Sequence, residues 1–211
     1  MNLKEYEEVK NLDYFAYFNY LQQKYGKPSD SFMDENYSIN SKIKRIKDGL
    51  CIHHKYEYIA PTLYYPTTAI NRPLEWQAPE NLTYVDLLEH VFLHILICEL
   101  PITVAKFPAI VTLEGMAKKL LPNLNDSFSG CIIDYENYYK CFDRVKKEKD
   151  TYMVLLKRIK ELFKRNPFFS IKQLQCTNPR LENWEREFDR ELFDEIEKLW
   201  VAIGNSFCFK I

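Results

Sequence analysis

Residues 84–99, YVDLLEHVFLHILICE, constrain the fold more than any other stretch of the chain. Leu87, Leu88, Val91, Phe92, Leu93, Ile95, Leu96 and Ile97 leave almost no polar face at helical spacing. A helix that is apolar all round belongs in a core. Pro101 stops it, because proline lacks the amide donor and clashes with the preceding turn. His90 and His94 are therefore carried into the interior, where imidazoles need partners. Thr83 reads as the N-cap of this helix, with Asp86 three residues on as its box partner.

The chain has only 4 histidines, His53, His54, His90 and His94, and all fall between residues 53 and 94. Clustered histidines point first to metal binding or acid–base chemistry. His90 and His94 stand at i and i+4, so on a helix their Cβ atoms lie about 5–6 Å apart on one face. That spacing suits two ligands on one ion. Leu50-Cys51-Ile52 reads as a short strand running into His53-His54. Neighbours on a strand point to opposite faces, so one of the pair can serve a metal and the other face solvent or substrate. The plainer alternative is a set of core histidines paired with carbonyls or carboxylates. A zinc-protease motif is excluded, since H-E-x-x-H is required and this helix has H-V-F-L-H.

Around this window the chain predicts mostly helix. Residues 2–25 carry aromatic and apolar residues at helical spacing, with Tyr6, Tyr14, Phe18 and Leu21 as a packing stripe and Gly26 and Pro28 as the stop. Residues 29–41 are turn-like, and KIKRIKD at 42–48 is basic. Lys55 to Glu80 holds Pro61, Pro66, Pro73 and Pro79, which predicts a long loop with one helical turn near Thr67–Asn71. Its Tyr64, Tyr65 and Trp76 are read as packing residues, with stacking on unpaired bases as the functional alternative. Asn81-Leu82 is a short return strand. Helices are expected over 105–121, 132–149, 151–165 and 181–201, with breaks at Asn123–Gly130 and Asn166–Pro167.

Composition is that of a folded globular chain: 211 residues, 46% hydrophobic and 28% charged. A charged N-terminus and the lack of any apolar run near 18 residues predict neither a secretory leader nor a membrane span, hence a cytoplasmic protein. No two of the 6 cysteines have C-x-x-C spacing, so they are expected to be free thiols. The Lys-, Asn- and Ile-rich, Gly-poor usage suits an AT-rich bacterial or phage genome. Net charge of −1 argues against a wholly basic nucleic-acid binder. Charge is nonetheless segregated. Lys140–Lys172 has a basic surplus of seven, and Arg180–Lys198 an acidic surplus of four. The basic stretch is either a solvated helix face or a surface for phosphates.

The residues H53-H54, N81-L82 and H90-x3-H94 resemble the HNH, or His-Me finger (ββα-metal), nucleases, most closely the variant with two helical histidines found in the DNase colicins. The likeness covers about residues 49–98. It implies a small ββα-metal module at 49–100, between an N-terminal helix and basic connector (1–48) and a C-terminal helical region (101–211). The fold class expected is α+β, mainly α. It also implies a DNA endonuclease in which His53, His90 and His94 bind one divalent ion and His54 is the general base. Asn81 would bond across the loop to orient His54. Three imidazoles leave an open position, as in catalytic zinc sites, and nitrogen ligands favour zinc, nickel or cobalt over magnesium. Magnesium would need Asp86 or water in place of one histidine. Lys55, Arg72, Lys146, Lys147 and Arg158 are the candidate nucleic-acid contacts. Cutting both strands with a one-metal module would call for a homodimer. Two other classes stay open: an inactive HNH scaffold that binds or inhibits a protein or nucleic-acid partner, and a structural metal domain.

Overall fold

The computed structural model describes residues 1–101, 103–104, 120–128 and 136–165. Most of the expected 105–121 helix, the whole 181–201 helix and the acidic Arg180–Lys198 stretch lie outside the described residues. The protein is mostly helical, with one small antiparallel sheet, which is α+β and mainly α. Among the described residues no helix is long and apolar enough to cross a membrane.

The N-terminal segment forms two helices rather than the single one expected. Helix α1 spans Leu3–Val9 and α2 spans Tyr14–Tyr25. Asp13 causes the division, because its carboxylate accepts the Ala16 amide and starts a new helix as N-cap. Gly26 ends α2 with φ of 76°, a conformation that suits glycine. Strand β1 (Cys51–His54) pairs with β2 (Leu82–Val85), and His53 faces Thr83 across the ladder while His54 faces Leu82. The connection holds a one-turn helix α3 (Pro66–Ala69) and several 3₁₀ turns, the first at Lys55–Tyr58.

Helix α4 spans Leu87–Glu99. Its cap is Asp86, not Thr83: the Asp86 side chain accepts the Glu89 amide, and the Glu89 side chain accepts the Asp86 amide. Residues 82–85 are β-branched or bulky and pair with β1, so the helix begins three residues later than the sequence suggests. Ten of its side chains are buried, each apolar one contributing roughly 1.5–3 kcal/mol.

Helices α5 (Leu121–Phe128), α6 (Glu136–Val145) and α7 (Lys149–Arg165) complete the described residues. The break expected at Asn123–Gly130 is thus helical through Phe128, where Leu121 and Leu124 turn into the core. Helix α6 docks beside β1 at Gly49, whose φ is 72°. A Cβ there would lie 2.8 Å from the Arg144 Cβ, so only glycine allows this approach. Arg158 of α7 reaches Glu99 with Nε (2.8 Å) and Nη2 (2.6 Å), and the Lys10 carbonyl with Nη1 (2.8 Å). It ties α7 to the ends of α1 and α4.

Candidate metal centre

The alternation of β1 and the pitch of α4 bring three histidines to one place. His53 turns toward α4, where its ring centroid is 5.3 Å from those of both His90 and His94. One helical turn sets His90 and His94 side by side, Nε2 to Nε2 at 3.0 Å. The turn after β1 folds Glu57 back onto the group. Its Oε2 lies 3.7 Å from His53 Nδ1 and 3.7 Å from His94 Nε2, and its Oε1 lies 3.7 Å from His54 Nδ1. One donor atom from each of His53, Glu57, His90 and His94 fits within 4.8 Å.

These residues fit a metal ion on two grounds. The first is distance. Tetrahedral ligands at zinc bond lengths are separated by about 3.3 Å, and the observed 3.0 and 3.7 Å bracket that value. The second is unmet bonding. The Nδ1 atoms of His53, His54 and His94 are buried without a hydrogen-bond partner. Buried polar nitrogens left so are costly, and a cation relieves the cost at the His53 Nδ1, which faces Glu57. Nitrogen-rich donors with one carboxylate suit zinc, nickel or cobalt better than magnesium.

Electrostatics sets the donors in their binding forms. Burial drives the His53 imidazole well below its ordinary range, with Glu57 opposing and the neighbouring histidines assisting. Burial likewise lowers His90 to about 3 and lowers His94, each against the pull of Glu57. Burial works against charge on Glu57 too, but the surrounding imidazoles, His53 foremost, hold its carboxyl well below the usual range. The resting donors are three neutral imidazoles and a carboxylate. Ligation requires those protonation states.

The other residues singled out in the sequence fall as follows. His54 points away from α4, as alternation demands, but into protein rather than solvent: it is fully buried, with Phe32 at 4.8 Å and Gln77 Oε1 3.0 Å from its Nε2. Asn81 donates from Nδ2 to the Glu75 carbonyl at 2.7 Å. It closes the loop, and the amide on His54 is that of Gln77. Asp86 caps α4 and is not among the donors grouped at the histidines. Lys55 lies beside His54, its Nζ 6.0 Å from the Phe18 ring centre. Lys146 and Lys147 are exposed beyond α6, Lys146 with its ammonium 2.5 Å from Asp143 at the surface, and Arg72 is half-buried in the loop. Arg158 is committed to Glu99 and Lys10, which removes it from the contact set. Trp76 stacks on Tyr56 within the chain, at 4.5 Å and 18°, next to Glu57. Tyr64 and Tyr65 pack against each other and are partly exposed. Cys51 and Cys141 are free thiols, their sulfurs 3.7 Å apart.

Sequence reasoning missed Glu57, Tyr14 as more than a packing residue, and Gln77. Glu57 had one available signal, an acid three residues past the histidine pair. Gln77 had none, since the winding of the loop alone brings it to His54. The chain matches no protein-family model, no curated protein and no solved structure.

Proposed function

We propose that the protein is a metal-dependent endonuclease of the HNH, His-Me finger type, hydrolysing DNA phosphodiester bonds. One observation carries the reading: three histidines from β1 and α4 converge with Glu57 on one point, and a fourth histidine, His54, adjoins that point across the same carboxylate. The antiparallel β1–β2 pair followed by α4 supports it, being the order a ββα-metal module requires. His53, His90 and His94 would hold the ion, which would supply charge neutralisation at the phosphate and at the departing oxygen. His54 takes the proton from the attacking water, a role imidazole suits at neutral pH. The products carry 5′-phosphate and 3′-hydroxyl ends. Lys55, Arg72, Lys146 and Lys147 supply backbone contacts, which would be salt-sensitive and blind to sequence. Because His54 is buried, DNA reaches it only after part of the 55–81 segment moves aside.

A second reading rests on a specific observation. Four protein donors, with His53 and Glu57 among the buried residues, are the pattern of a structural ion. The chain would then be a metal-stabilised scaffold that binds a protein or nucleic-acid partner. Purified protein and His54→Ala, incubated with supercoiled plasmid and single strands under Mg²⁺, Mn²⁺, Ni²⁺, Zn²⁺ or chelator, separate the two. The nuclease reading expects metal-dependent nicking that falls by about 10²–10⁴ in the variant. Cleavage unchanged by the substitution removes His54 as the base, and metal bound with no cleavage under any condition sinks the nuclease reading in favour of the scaffold.

A further inference from the structure

Hydrogen bonds on the outer edges of His53 and His54 determine which nitrogen each ring turns inward. The Tyr14 hydroxyl lies 2.8 Å from the Lys55 carbonyl and 3.0 Å from His53 Nε2. A carbonyl only accepts, so the hydroxyl hydrogen goes to Lys55, and the Tyr14 oxygen accepts from His53 Nε2–H. Gln77 follows the same logic. Its Nε2 donates to the Leu63 carbonyl at 3.2 Å, which leaves Oε1 facing His54 Nε2 at 3.0 Å. That oxygen only accepts, so His54 also carries its hydrogen on Nε2. Both Nδ1 atoms are then bare, and both are buried, unpartnered and 3.7 Å from Glu57.

We propose that Tyr14 and Gln77 are positioning residues that impose the Nε2–H tautomer on the two adjacent histidines, so that His53 offers Nδ1 as a ligand and His54 presents a free Nδ1 beside it. His90 and His94, by contrast, meet through Nε2. A carbonyl-anchored hydroxyl behind a ligand imidazole both orients the ring and raises its donor strength. Burial makes the arrangement strict: Tyr14, His53, His54 and Gln77 are each at most 1% exposed, so water cannot substitute as acceptor. The ligand half rests on the metal-centre reading, whereas the tautomers themselves do not.

Because the chain has only 4 histidines, ¹⁵N-histidine labelling gives four ring systems, and long-range ¹H–¹⁵N spectra report the tautomer of each. The full chain at neutral pH, without metal and with Zn²⁺, is expected to show His53 and His54 as Nε2–H. Tyr14→Phe, which keeps the ring and removes only the oxygen, should turn His53 into a tautomer mixture and weaken Zn²⁺ affinity about 10- to 100-fold by competition with a chromophoric chelator. Gln77→Leu should release the His54 tautomer and leave Zn²⁺ affinity unchanged. An Nδ1–H signal for either histidine in the metal-free wild type overturns the proposal, without any variant needing to fold. Unchanged Zn²⁺ affinity in a folded Tyr14→Phe overturns the ligand half. If the wild type binds no Zn²⁺, the metal-centre reading fails, and the tautomers are still decided by the metal-free spectrum.

Discussion

Helix α4 carries two polar clusters one turn apart, and they are completed differently. At its N-terminus the carboxylates of Asp86 and Glu89 have a donor on every oxygen: the Met1 ammonium, Lys24 at 2.6 Å, Tyr25 at 2.9 Å, and the two capping amides. One turn later His90 and His94 join His53 and Glu57, and there buried Nδ1 atoms of His53 and His94 lack partners. The helix is the same and the accounting of hydrogen bonds is opposite, with Asp86 and Glu89 fully buried and His90 and His94 half-buried. A group that is complete within the chain holds the fold together. A group whose donor atoms converge from three elements while the buried His53 Nδ1 among them lacks a partner is shaped for something brought from outside.

The comparison can be broken most forcefully at the complete cluster. Glu89→Ala takes the acceptor from the Asp86 amide and the Tyr25 hydroxyl while Lys24 keeps Glu5, and each buried donor left unsatisfied costs about 1–3 kcal/mol. Urea unfolding should show that loss equally with and without metal, and a metal-dependent loss would blur the two clusters into one. The incomplete cluster should behave the other way. Zn²⁺ at a hundredfold over its dissociation constant should stabilise the wild type by about 2.7 kcal/mol, seen as a rise in melting temperature reversed by chelator. His90→Ala or His94→Ala should erase that increment. Glu57→Gln keeps the shape but drops the charge, so it should retain part of the increment, a difference that thermal shift resolves.

The most gradual effects lie in the pH dependence of the metal-free protein, where the clusters have opposite signs. Burial, with Asp86 adding to it, raises the Glu89 carboxyl from 4.5 to about 7. The fold therefore binds that proton more tightly than the unfolded chain, and its contribution is lost as pH rises from about 4.5 to about 7. His90 is lowered from 6.5 to about 3, so its contribution is lost as pH falls through that interval. Each slope is at most about 1.4 kcal/mol per pH unit. Urea titrations across pH should show Glu89→Gln removing the first limb and His90→Gln the second. If either substitution leaves its own limb in place, the assigned cause is wrong.

The sequence made the histidines legible because their spacing carries its own geometry. Alternation in β1 and the pitch of α4 place His53, His90 and His94 on facing surfaces with no knowledge of the remaining fold. Local capping was legible only to within a turn. Thr83 and Asp86 both suit an N-cap, and strand pairing with β1 decided between them. Likewise one helix became two at Asp13. Glu57, Tyr14 and Gln77 were hidden for a deeper reason. Tyr14 meets His53 across 39 positions, and Gln77 meets His54 across 23. Contacts of that range depend on how α2 and the loop close over the strands, which no local pattern encodes. Arg158 was equally hidden: its bonds to Glu99 and the Lys10 carbonyl span 59 and 148 positions.

The stacked pair of Tyr56 and Trp76 gives the molecule an optical gauge of its own. The indole lies against the residue next to Glu57, so a change in that carboxylate's position alters its surroundings. The other two tryptophans, Trp184 and Trp200, are distant in sequence. A Trp184→Phe, Trp200→Phe double variant would leave Trp76 as the sole indole, and its emission colour, excited beyond the tyrosine band, would then follow in real time whatever the loop does when an ion or a strand arrives.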